Sequence, residues 1–239
     1  MKQLFFILFG VFSLLAFGQG NYDDVSKDRQ IKGLVIAGFN LSQVDGDEVA
    51  GYNKGGWNVG VGAMLPLGKG FAVNVETLYN QKGAYRKWDP TYDSTGLPYY
   101  HLKLDYLEVP VLFSFEDRHI WTVGAGFSWG QRIRYREIEH GQVMDSAYKY
   151  SKNDFNVLFD LQLRVWKHLK FDVRYAYSLA KIRTRNYTHP RTGFEETRDQ
   201  YTNMISFRAV YVLNEKYTPP NKPRRSKTQS TAAVAAWNI

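Results

Sequence analysis

Charged side chains recur inside stretches that otherwise alternate between apolar and small or polar residues. Glu76, Glu108, Asp160, Arg164, Asp172, Arg174 and Arg208 all fall on the phase opposite the apolar one. Four carboxylates and three guanidiniums turned toward a shared interior could pair and fill it, or could relay protons or ions along it. Pairing is the favoured reading, because an unpaired charge removed from bulk water is costly and a narrow interior has to be packed.

Other chemistry finds little support. Hydrolysis by a Ser–His–acid constellation at a membrane rim, as in lipid A acylases and deacylases, would need a histidine beside a serine in a telling spacing. His101, His140 and His189 fall in or near long polar connections, and His119 and His168 in short turns, none of them so placed. Glu195 and Glu196 are adjacent in a polar loop, where solvated carboxylates are common. No Gly-rich phosphate loop and no His-plus-carboxylate metal spacing occurs, and the chain has no cysteine. The expectation is a protein with no catalytic, cofactor-binding or metal site, and without lipoprotein acylation or disulfides.

The elements that must position the charges are strands. From Trp121 to Glu137 (WTVGAGFSWGQRIRYRE), Trp121, Val123, Ala125, Phe127, Trp129, Ile133 and Tyr135 share one phase, while Thr122, Gly124, Gly126, Ser128, Gly130, Arg132, Arg134 and Arg136 share the other. A two-residue period is that of a strand, and this one is long enough to cross a bilayer at a tilt. The same alternation predicts strands over Ile31–Ser42, Trp57–Leu67, Phe71–Gly83, Leu102–Phe115, Phe155–Trp166, Leu169–Leu179 and Tyr201–Leu213, eight in all. Pro110 lacks an N–H and predicts a bulge or local break in its strand. Counting along the strands places Glu76, Glu108, Asp160, Arg164, Arg174 and Arg208 near mid-height, Asp172 below them, and Arg132 and Arg134 above.

Short connections follow the second, fourth and sixth strands and long ones follow the first, third, fifth and seventh. That asymmetry belongs to bacterial barrels with periplasmic turns and long outer loops, and it puts both termini in the periplasm. Aromatics gather at both ends of the apolar face: Phe71, Phe115, Trp121, Phe171 and Tyr211 at one, and Trp57, Tyr79, Trp129, Tyr135, Phe155 and Tyr177 at the other. A soluble β-sandwich or lipocalin-like barrel could show the same alternation. The double girdle, the loop lengths and an export signal favour the membrane. The predicted fold is an eight-stranded antiparallel up-and-down transmembrane β-barrel, all-β, with a lumen filled by side chains.

The chain is 239 residues long with a formal net charge of +8 and 16% aromatic residues. Residues 1–18 read as a cleavable signal peptide, with Lys2 ahead of the apolar run Leu4 to Phe17. Residues 19–30 are a polar periplasmic lead, 31–213 the barrel and 214–239 a basic periplasmic tail. Within the tail, Lys222, Arg224, Arg225 and Lys227 are the candidate partner-binding residues. Export argues against nucleic acid as the partner of these cations. Outer-membrane lipids, including the phosphates of lipopolysaccharide, and acidic envelope proteins suit them better.

Four segments, GFNLS (Gly38–Ser42), NVETLYNQKGA (Asn74–Ala84), YLEVPVLF (Tyr106–Phe113) and TVGAGFSWG (Thr122–Gly130), resemble the PorT-like outer-membrane β-barrel domain abundant in Bacteroidetes. The resemblance covers roughly the mature chain to Leu213. It implies outer-membrane residence and no particular site, with some relatives attached to type IX secretion and gliding machinery. The functional expectation is a non-enzymatic structural or accessory subunit of an envelope assembly. A small porin or solute channel, or a surface adhesin, is the alternative.

Overall fold

A computed structural model describes residues 30–47, 49, 51–86, 100–117, 120–139, 142–144, 150–188 and 195–215. The signal segment, the lead before Gln30 and the tail beyond Glu215, with Lys222, Arg224, Arg225 and Lys227, lie outside the described residues.

Ten strands form, and no helix occurs among the described residues: β1 (Lys32–Asp45), β2 (Lys54–Gly68), β3 (Phe71–Arg86), β4 (Tyr100–Asp117), β5 (Trp121–Glu139), β6 (Gln142–Met144), β7 (Asn153–Arg164), β8 (Leu169–Ser178), β9 (Arg183–Thr188) and β10 (Glu195–Val212). Eight of them close an antiparallel up-and-down barrel in the order β1-β2-β3-β4-β5-β7-β8-β10, with β10 returning to β1. The other two were not predicted from the sequence. β6 extends β5 as a hairpin, and β9 pairs with the upper part of β10. Both hairpins stand at the long-loop end. Polar sequence there can still make a ladder, although without a buried face its alternation is lost.

The register measures the stagger. From Gly33 the pairs run through Ala63, Val75, Val111, Phe127, Val157, Tyr177 and Asn203, and return to β1 at Gln43, ten residues further along. Such a shear tilts the strands by roughly 40° and leaves a bore that side chains fill. Val35, Phe39, Val61, Phe113, Val123, Phe127, Phe159 and Leu161 stand exposed on the outer wall, where a bilayer would cover them. Opposite Pro110, Glu76 and Thr77 lack ladder partners on β4, and the register resumes unchanged at Leu78 and Glu108.

One irregularity overturns part of the predicted pattern. Tyr106 faces Arg132 and Asp105 faces Arg134, so Ile133 is an extra residue in β5. Such a bulge reverses the phase of everything beyond it. Arg134 and Arg136 therefore stand on the outer wall, so that Arg134 is not above the lumen charges, and its side chain is 74% exposed. Tyr135 leaves the outer girdle and packs against the upper interior, and Glu137 turns inward. Arg132 folds over to donate to the carbonyls of Tyr150 and Ser151 at 3.1 and 3.2 Å.

Candidate functional site

Inward alternation stacks the lumen in layers. At the lower middle, β3 supplies Glu76, β7 Asp160, β8 Asp172 and Arg174, and β10 Arg208, all buried. The Arg174 guanidinium donates to both Glu76 oxygens at 2.9 and 3.0 Å and to both Asp160 oxygens at 2.6 and 2.7 Å. Arg208 donates to Glu76 at 3.1 Å, to Asp160 at 3.2 Å and to Asp172. Two planar forks thus hold three carboxylates. That is the geometry for which arginine suits better than lysine, because its five donors are fixed in one plane.

Above this layer three strands turn an apolar residue inward. Leu158 lies between Asp160 and Asn156 on β7, Ala176 between Arg174 and Ser178 on β8, and Met204 between Ser206 and Thr202 on β10, and these three cluster with Leu112. Higher still, Lys82 reaches Glu108 at 2.5 Å and Asp154 at 2.9 Å, with Asn156 at 3.2 Å. Asn80 donates to Glu108 at 2.7 Å, and Asp154 accepts from Ser178 at 2.6 Å and Thr202 at 3.2 Å.

The top is closed by a second apolar cluster: Val44, Ala84, Leu102, Leu104, Tyr106, Tyr150 and Ile182. Into it is set one more ion pair, Arg183 to Glu137 at 2.8 Å. The Tyr150 hydroxyl donates to Glu137 at 2.9 Å and accepts from Arg183 at 2.5 Å. Burial first, and then the Glu137 charge, push that hydroxyl well above the usual phenol range, so it stays protonated.

At the short-turn end lies a rim cluster. Glu116 bonds Lys170 and meets Arg164 at 3.2 Å, and Glu215 meets Arg164 at 2.6 Å and Lys32 at 3.0 Å. Burial works to raise the Glu215 carboxyl, but the hydrogen bonds and charges of Arg164 and Lys32 outweigh it and hold the group below its ordinary value.

Of the seven charges singled out in the sequence, Glu76, Asp160, Asp172, Arg174 and Arg208 form one network. Glu108 belongs to the separate layer around Lys82. Arg164 is not at mid-height, since it ends β7 and its partners are on the rim. Lys82 and Asp154 were missed although the signal was there. Each continues an inward phase, two residues beyond Asn80 and two before Asn156. Glu137 and Arg183 had no such signal, one lying past the bulge and the other in a polar loop.

Among the described residues no group of His, Asp and Glu is arranged to hold a metal ion. His101 meets the Tyr85 ring edge-on, His168 sits beside Tyr211, and His119, His140 and His189 lie outside the described residues. Glu196 pairs with Arg198 at 2.6 Å on the exposed β9–β10 hairpin.

Residues 22–183 match a protein family described as outer membrane protein beta-barrel domain. Among solved structures, the chain is similar to Ail, the attachment invasion locus protein of Yersinia pestis, at 15% identity and a TM-score of 0.43, covering 76% of this chain and 98% of that one. Neisserial surface protein A follows at 11% identity and a TM-score of 0.42, over 76% and 96%. The outer membrane protease OmpT of Escherichia coli stands at 7% identity and a TM-score of 0.34, over 80% and 99%. No curated protein matches the sequence.

Proposed function

Because this chain belongs to the outer membrane protein beta-barrel domain family, we propose that it serves there as a non-enzymatic structural or accessory subunit of an envelope assembly, with a plugged lumen. The observation that carries this reading is the stacking itself. Two buried ion-pair layers have apolar residues between them, and a third ion pair is set into the apolar cluster above, which supports a bore occupied by side chains. A barrel so filled transports nothing through its axis and has to act through its ends.

The connections β2–β3, β4–β5 and β7–β8 are short and lie at the end where β1 begins and β10 stops. This supports long loops outside and both termini in the periplasm. There the tail leaves from a fixed point, since Glu215 is clasped by Arg164 and Lys32. On this reading Lys222, Arg224, Arg225 and Lys227 dock an acidic surface of a periplasmic or membrane partner. The resemblance to PorT-like barrels of Bacteroidetes makes secretion or gliding machinery the assembly to search first.

The test is a mild-detergent pull-down of the full-length protein from outer membranes beside a version truncated after Glu215. Partners that disappear with the tail support the reading. The same partners with and without the tail, or none in either sample, would exclude docking through it.

A further inference from the structure

The bulge at Ile133 that turns Arg134 and Arg136 outward also assembles a cationic patch on the outer wall. Lys103 of β4 and Arg136 of β5 are directly opposite in the register, on the same face. Like charges facing each other across a strand pair are destabilising unless something negative lies between them. Lys103 and Arg136 both act electrostatically on the nearby His101 imidazole. Among the described residues neither Lys103 nor Arg136 has a carboxylate within ion-pair distance. Asp105, two residues along β4 from Lys103, lies buried beneath Arg134, 4.0 Å from its guanidinium.

The wall on the β3 side of the pair carries little bulk. Beside Lys103 in the same row stands Gly83, at a φ of +146° and with no side chain, and Gly55 has open space where a side chain would stand. The patch also has a fixed height. Trp57, whose backbone N–H donates to the Gln81 side chain, shares a row with Gln81 and Asp105, and Trp57 is 65% exposed as part of the girdle. Lys103 and Arg136 lie one row higher, two residues or roughly 7 Å along the strand. Headgroup phosphates lie just beyond the aromatic girdle of a membrane barrel.

We propose that Lys103 and Arg136 form a binding site for a phosphate of lipid A in the outer leaflet. The site rests on the orientation given above, with the long-loop end facing outward. The phosphate relieves the repulsion between Lys103 and Arg136 and accepts from both, and the acyl chains run down the exposed apolar wall below. A free phosphate would gain only the first of these contacts, so the lipid is the occupant.

The full-length protein in detergent is titrated with bis-phosphorylated lipid A and followed by native mass spectrometry, with heat-modifiable gel mobility reporting that the barrel stays folded. The K103Q/R136Q variant should bind at least about tenfold more weakly than wild type. K69Q/K167Q, altered in the short turns at the other end, should bind as wild type does. Unchanged binding by K103Q/R136Q would overturn the site, and inorganic phosphate binding as tightly as lipid A would overturn the lipid as occupant. Orientation is tested apart. The chain has no cysteine, so V143C on the β5–β6 hairpin should be labelled on intact cells by an impermeant maleimide. Absence of that label, with lipid A binding still sensitive to K103Q/R136Q, would reverse the orientation and leave a phosphate site facing the other leaflet.

Discussion

Arg174 and Glu76 are 98 positions apart in sequence and meet across the lumen through two parallel N–H···O bonds of 2.9 and 3.0 Å. Removing one partner of a buried pair leaves an uncompensated charge, which costs more than the pair itself contributes. R174M should destabilise the barrel by about 3–5 kcal/mol, and E76Q/R174M by less than R174M alone, as measured by urea unfolding in lipid vesicles. A larger loss in the double variant would contradict the pairing.

Between the layer around Lys82 and the Arg174 layer lie Leu158, Ala176 and Met204, which cluster with Leu112. Sites without shared partners usually act additively. In a double-mutant cycle of K82M and R174M the coupling should stay under about 0.5 kcal/mol. A coupling several times larger would mean that the polar residues act as one continuous network, as an ion path requires.

For the same reason the wild-type protein should give no stepwise current in planar bilayers. Reproducible single-channel steps from the purified protein would refute the filled lumen and restore the porin reading.

Glu215 supplies a pH signature. Its folded carboxyl titrates below the ordinary value, so the stabilisation it brings is fully present above the unfolded value of about 4.3 and is lost as pH falls through the lower folded one. Wild type should exceed E215Q by about 1 kcal/mol near pH 6, with the gap closing under acid. A gap that widens toward low pH would show that Arg164 and Lys32 do not hold the carboxylate.

Much of this architecture could be read in the one-dimensional pattern, because a strand that separates lipid from lumen must alternate. The period of two placed Glu76, Asp160, Asp172, Arg174 and Arg208 inside, and the loop lengths marked out the hairpins. What alternation lacks is height and partner. Strand tilt and a shear of ten residues decide that Arg174 reaches Glu76 while Glu108 is left to Lys82, and that Arg164 ends on the rim. Nor does alternation signal a bulge. The extra residue Ile133 changes no composition, yet it sends Arg134 and Arg136 outward and Glu137 inward. Which residues face the interior was therefore determined locally, by the chemistry of two faces. Which of them meet was decided only when the sheet closed, because closure alone sets the register between strands distant in sequence.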